Sequence, residues 1–317
     1  MSHGPVAFLF PGQGSQAAGM GKELAALYPV ARHTFQEADD ALGFAISQLC
    51  FEGPDDQLKL TENTQPAILT MSTAVARVLQ EKGIVPQFAA GHSLGEYSAH
   101  VTAGTLTFAE AVRTVRDRGR YMQQAVPAGE GGMAAILGMP LDQLQQVCAD
   151  AAQGEVVSPA NINSPDQIAI SGNQKAVERA AELAKQRGAK RAVMLVVSAP
   201  FHCALMQPAQ DRLEKDLNAL HFKNPELPVV ANIDATLKTS GEESRRALVR
   251  QVTGAVQWAK CMQTLIGHGV KTFIEVGPGK VLTGLMRQID RSQTCMNAED
   301  EASVQNVSNL FAAAAKE

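Results

Sequence analysis

Residues 89–100 read AAGHSLGEYSAH and set Ser93 between Gly91 and Gly95 in a G-x-S-x-G pattern. A serine on a sharp strand-to-helix turn is a candidate nucleophile for acyl chemistry. The flanking glycines permit the turn, and the N–H of the next residue, Leu94, then faces a developing oxyanion. Three fixed letters are a weak signal alone, and a turn serine that only caps the following helix fits them too. A second loop, FPGQGSQ at residues 10–16, also follows an apolar run. Its glycines let the backbone come close to a ligand, and Gln13 could add a second oxyanion donor. Neither GQGSQA nor VGPGKVL completes a dinucleotide or nucleotide phosphate fingerprint, so a phosphate loop is rejected.

A serine needs a base, and the chain offers His3, His33, His92, His100, His202, His221 and His268. His202, in SAPFHC, follows a proline at the exit of an expected buried strand, where a loop histidine can point back over a sheet. Spacing alone favours an ordinary surface or core histidine over a catalytic one. His92 adjoins the serine, but an elbow sends adjacent side chains apart. On the run RTVRDRGRYMQ, helical phase puts Arg113, Arg116 and Arg120 on one side and Arg118 on the other, with Val115 and Met122. A guanidinium among apolar neighbours needs an acidic partner, either a structural carboxylate or one carried by a substrate.

The elements that must position these residues follow from periodicity. An apolar strand is expected at 6–10, ended by Pro11. Helical spacing runs from Met20 to Ala41, and a further helix has Pro66 near its start and Gly83 at its end. A short strand leads into the serine, a helix spans 94–103 with Gly104 as its cap, and another covers 108–126. From residue 133 the texture changes to strand 133–137, helix 141–152, strands 156–160 and 167–171, helix 175–187 and strand 192–197. That βαββαβ order is the ferredoxin-like arrangement. The division expected is a core of 1–128 and 198–317 with a small inserted subdomain at 129–197. The core ends in the strand-like KTFIEVGPG and an alanine-rich terminal helix.

Length fits one large domain with a smaller companion. A net charge of −4 with 45% hydrophobic residues argues against nucleic acid as a partner. No apolar run reaches the roughly 18 residues of a membrane span, and the first residues lack a charged start before a long apolar core, so a cytoplasmic location without membrane attachment is expected. Cys50, Cys148, Cys203, Cys261 and Cys295 are scattered, which reads as buried or half-buried thiols and neither a disulfide framework nor a metal site.

Taken together, FPGQGSQ, GHSLGE, the Arg118-Gly pair, PFH at 200–202, VQW after Gln251 and EVGPGKVL resemble, in order and spacing and nearly end to end, the malonyl-CoA:acyl-carrier-protein transacylases of bacterial fatty-acid synthesis. The resemblance implies an α/β-hydrolase-like core with a parallel sheet and the ferredoxin-like insertion. It also implies a ping-pong reaction in which Ser93, activated by His202, takes the malonyl group from malonyl-CoA and passes it to the phosphopantetheine thiol of an acyl carrier protein. Gln13 and Leu94 would give the oxyanion N–H groups, Gln251 the main-chain carbonyl that orients the histidine, and Arg118 a two-pronged salt bridge to the malonyl carboxylate. Phe201 and Leu94 would disfavour methylmalonyl by bulk, worth about 1–3 kcal/mol. No bound cofactor or metal is implied, and a monomer is expected.

The rivals are a serine thioesterase or esterase, a non-catalytic carrier-docking module, and a free-standing malonyl loader for polyketide synthesis. The basic runs at 185–191 and 244–246 could meet an acidic carrier, although solvated charged surface accounts for them as well.

Overall fold

The computed structural model describes residues 4–314; His3 and residues 315–317 of the alanine-rich tail lie outside them. The chain opens with β1 (Val6–Phe10), then α1 (Lys22–Leu27), α2 (Pro29–Leu42), α3 (Ile46–Glu52), α4 (Asp55–Leu58) and α5 (Thr61–Glu81). Next come β2 (Phe88–Gly91), α6 (Gly95–Thr102) and α7 (Phe108–Gln124). A second group follows: β3 (Gly131–Leu137), α8 (Leu141–Ala152), β4 (Val157–Ser164), β5 (Gln167–Asn173), α9 (Gln174–Gln186) and β6 (Arg191–Met194). The chain closes with α10 (Gln207–Ala219), β7 (Val229–Val230), β8 (Leu237–Lys238), α11 (Gly241–Gln251), α12 (Trp258–Gly267), β9 (Thr272–Val276), α13 (Val281–Ile289), β10 (Thr294–Ala298) and α14 (Glu301–Ala314).

Two sheets result. The larger has the order β10-β9-β1-β2-β7-β8, parallel throughout except for β8. Its central strand β1 is buried at every position, as a strand covered on both faces must be. Phe8 and Phe10 pack with α5 and α7 residues on one face, and Ala7 and Leu9 with Trp258 and Met262 on the other. The smaller sheet is antiparallel, in the order β4-β5-β3-β6. The two-residue period sends Ala134, Ile136, Ile168 and Ile170 toward α8 and α9, and Met133 and Ala169 to the opposite face. The sheets are tied together where Asn161 bridges Val256 and Ser164 Oγ donates to Gln288 at 2.7 Å.

Several expectations need correction. Helical spacing at 20–41 is broken by Pro29, which pushes Tyr28 into extended backbone (φ −115°, ψ 116°) and starts a new helix. The α5 helix begins at Thr61, a turn earlier than Pro66 suggested, so the proline sits inside it. The expected buried strand at 192–197 is an exposed edge strand that stops at Met194, and Val196 stands fully in solvent. At the opposite edge of that sheet β4 runs on to Ser164 beside β5, with register shifts between Pro159 and Asn161 and between Ile162 and Ser164. The phase reading of α7 holds: Arg118, Val115 and Met122 are buried while Arg113 and Arg120 are exposed. That helix starts at a capping box between Thr107 and Glu110. Four cysteines are buried, Cys295 is half-buried and none is paired. Among the described residues no helix is long and apolar enough to cross a membrane.

Candidate active site

Ser93 lies one turn beyond the end of β2, at the carboxyl edge of the parallel sheet, where open α/β sheets place their ligands. The same edge carries the loop after β1 with Gln13 and the segment after β7 with Asn232. Ser93 has φ 52°, a left-handed backbone that few non-glycine residues adopt. The turn closes because Gly91 and Gly95 lack side chains: a Cβ on Gly91 would come to 1.8 Å from the Gly95 carbonyl carbon, and one on Gly95 to 2.0 Å from the Phe10 oxygen. Asn232 fixes the turn, its Oδ1 accepting from the Ser93 N–H at 2.7 Å and its Nδ2 donating to the Gly91 oxygen.

His202 reaches the serine from the loop after β6. Nδ1–H donates to the Gln251 carbonyl oxygen at 2.9 Å, which leaves Nε2 as acceptor, and the Ser93 hydroxyl donates to it at 2.7 Å. His202 also has left-handed backbone, φ 60°. Burial, together with the Arg118 charge, lowers its pKa to about 3, so the resting imidazole is neutral and able to accept a proton. Among the described residues no acid is hydrogen-bonded to this imidazole; the partner of Nδ1 is the main-chain carbonyl at the end of α11.

Arg118 is 2% exposed. Nη1 donates to Gln65 Oε1 at 2.8 Å, and Nη2 donates to Ser93 Oγ at 3.1 Å and to Gln251 Oε1 at 3.0 Å. The Nε–H group has no acceptor. Among the described residues no carboxylate lies within ion-pair distance of this guanidinium, and burial lowers its pKa. The exposed arginines beside it behave differently: Arg120 pairs with Asp117. Bases in the two basic runs are likewise paired internally, Arg187 with Asp150 and Arg245 and Arg246 with Glu242.

The backbone N–H groups of Gln13 and Leu94 donate to no acceptor among the described residues. Both residues line a cavity of about 580 Å³ between the two sheets, together with Ser93, Arg118, Phe201 and His202. The small sheet supplies its other wall through Met133, Asn161, Asn163 and Ala169. His92 turns away from the serine, with Nε2 at 2.8 Å from Asn163 Oδ1 and its ring against Trp258.

Four site residues escaped the sequence reading. Gln65 and Asn232 lie in segments with no motif of their own. The Gln251 side chain was unsuspected, although its carbonyl was named. Glu96 stood inside GHSLGE without an assigned task. Only burial of polar types on apolar faces could have signalled them, and that needs the fold.

A fold of mixed α/β type with a serine–histidine pair at the edge of a parallel sheet is the architecture of an acyl-transferring class, and residues 7–310 match the acyl transferase domain family, to which the chain belongs. It is 50% identical over 301 residues to the malonyl CoA-acyl carrier protein transacylase of Bacillus subtilis, covering 95% of each chain. The solved acyl carrier protein S-malonyltransferase of Vibrio cholerae superposes with a TM-score of 0.94 at 49% identity, over 95% of this chain and 99% of that one. A malonyl-transacylase solved in complex with its type II PKS acyl-carrier protein is similar at 46% identity and a TM-score of 0.94, over 96% and 99% of the two chains. At these identities and coverages the chain groups, within that family, with the malonyl CoA-acyl carrier protein transacylases.

Proposed function

We propose that this protein transfers a malonyl group from malonyl-CoA to the phosphopantetheine thiol of an acyl carrier protein through a malonyl ester on Ser93. The observation that carries this reading is the buried Arg118 guanidinium, which has no carboxylate partner among the described residues and sits 3.1 Å from the Oγ of a serine already paired with a neutral histidine. Such a site suits an acyl group that brings its own carboxylate.

In this scheme the Ser93 hydroxyl gives its proton to His202 Nε2 as Oγ attacks the thioester carbonyl carbon. The Gln13 and Leu94 N–H groups hold the resulting oxyanion. His202 then returns the proton to the CoA sulfur as the C–S bond breaks, and CoA leaves as the thiol. The carrier thiol next gives its proton to His202 and attacks the ester, and the proton passes back to Ser93 Oγ as the carrier leaves acylated. Burial is the main cause of the low His202 pKa and the Arg118 charge adds to it; a carboxylate bound at Arg118 offsets that second contribution, so the base strengthens when the right substrate is present. The Gln251 carbonyl keeps Nε2 aimed at the serine, and Phe201 limits room beside the malonyl α-carbon.

The reading includes a division into an α/β-hydrolase-like core at 1–128 and 198–317 and a ferredoxin-like insert at 129–197. The strand order β4-β5-β3-β6 with two helices on one face supports it. Malonyl supply to fatty-acid synthesis is the first pathway; the similar transacylase solved with a type II PKS carrier keeps polyketide supply as the second.

Intact-mass analysis after brief exposure to malonyl-CoA, beside Ser93→Ala, tests the proposal. A malonyl adduct that needs Ser93 and passes to a phosphopantetheinylated carrier faster than to water is the expected result. Equal loss with and without carrier would make the protein a hydrolase.

A further inference from the structure

Glu96 is a fully buried carboxylate one turn after the serine, on α6. Its Oε2 accepts from the Asn232 N–H at 2.9 Å and from Gln251 Nε2 at 2.8 Å, and its Oε1 has no partner. At the far end of the same amide, Gln251 Oε1 accepts from Arg118 Nη2 at 3.0 Å. A carboxylate only accepts and a guanidinium only donates, so these two groups, together with the Ser93 carbonyl oxygen that also accepts from Gln251 Nε2 at 2.9 Å, select one orientation of the amide between them. If the amide turned over, its N–H₂ would face the guanidinium and its oxygen the carboxylate.

We propose that Glu96 is a positioning residue for the acyl carboxylate: it orients the Gln251 amide, which in turn fixes the Arg118 guanidinium without occupying it. A direct Glu96–Arg118 ion pair would satisfy the charge but compete with the substrate; one intervening amide keeps the acid near and the guanidinium open. Burial pushes the Glu96 carboxyl up to about 7, against the lowering by its Asn232 and Gln251 hydrogen bonds. Holding an acid there is costly, which argues for a task beyond filling space. This inference rests on the proposed malonyl site at Arg118.

The test is the ratio of malonyl to acetyl loading on Ser93, from the two CoA thioesters, in Glu96→Met, Glu96→Gln and the wild type. Met keeps an unbranched chain of similar size and removes both acceptors. Glu96→Met is expected to lower the ratio about tenfold, the worth of one hydrogen bond. Glu96→Gln should restore it to within about twofold, because the Asn232 and Gln251 donors both select its carbonyl oxygen. In an Arg118→Ala background Glu96→Met should change the ratio no further. Equal losses for both acyl groups would make Glu96 a structural tie and overturn the proposal, as would a Glu96→Gln variant as impaired as Glu96→Met. If Glu96→Met does not fold, Gln251→Met cuts the same link from its middle while leaving the main-chain carbonyl; wild-type selectivity there overturns the proposal equally. Absence of any Ser93 adduct in the wild type would instead remove the underlying malonyl reading.

Discussion

Arg118→Ala separates the roles that Arg118 plays. The guanidinium donates to Ser93 Oγ and has N–H capacity to spare; on the proposed reading the first bond serves any acyl donor and the second takes a carboxylate, which serves malonyl alone. Losing one partner of a buried, two-pronged charge pair costs about 3–5 kcal/mol. Malonyl loading should therefore fall by about 10² to 10⁴-fold. Acetyl loading feels two opposed changes, loss of the Ser93 contact and removal of a buried charge that acetyl leaves unpaired. The informative quantity is the ratio of kcat/KM for malonyl-CoA to that for acetyl-CoA, read by rapid quench and intact mass, with thermal unfolding alongside because Gln65 and Gln251 each lose a buried partner. A fall of at least about a hundredfold in that ratio is expected. A ratio that stays within about threefold of wild type would refute the assignment, however much both rates dropped.

The depressed His202 pKa, about 3, means that the neutral base persists as pH falls through the ordinary histidine range. In Glu96→Gln, which removes the buried carboxyl pushed up to about 7, the kcat/KM for malonyl loading should stay level from about pH 8 to about pH 5, since this parameter reports the free enzyme. An acid limb near 6.5 that survives in Glu96→Gln would contradict the burial argument. Phe201 lines the cavity with Met133 and Ala169, and on the proposed reading it restricts space beside the malonyl α-carbon. Phe201→Ala should raise loading of methylmalonyl relative to malonyl by about tenfold, in line with about 1–3 kcal/mol for a methyl group. An unchanged ratio in competition between the two CoA thioesters would take selectivity away from this ring.

Local chemistry wrote much of this protein into its sequence. Ser93 between two glycines, the apolar run of β1 and the stripe that sets Arg118 against Arg113 and Arg120 depend on neighbours within a turn or two, so periodicity and residue type revealed them. The order of elements from β3 to β6 was legible for the same reason. Its last strand was misjudged as buried because exposure at a sheet edge depends on which strand lies beside it. The long-range choices belong to the tertiary structure. Sequence left the partner of Arg118 open between a structural and a substrate carboxylate; the fold surrounds it with Gln65, Ser93 and Gln251, from three separate segments, and among the described residues holds the nearest acid, Glu96, one amide away and out of direct pairing. Asn232 and Glu96 gained meaning only when β2, β7 and the end of α11 met at one sheet edge. A hydrogen bond between residues 139 or 155 positions apart leaves no periodic trace in either segment, since the chain encodes it through the packing of the whole core.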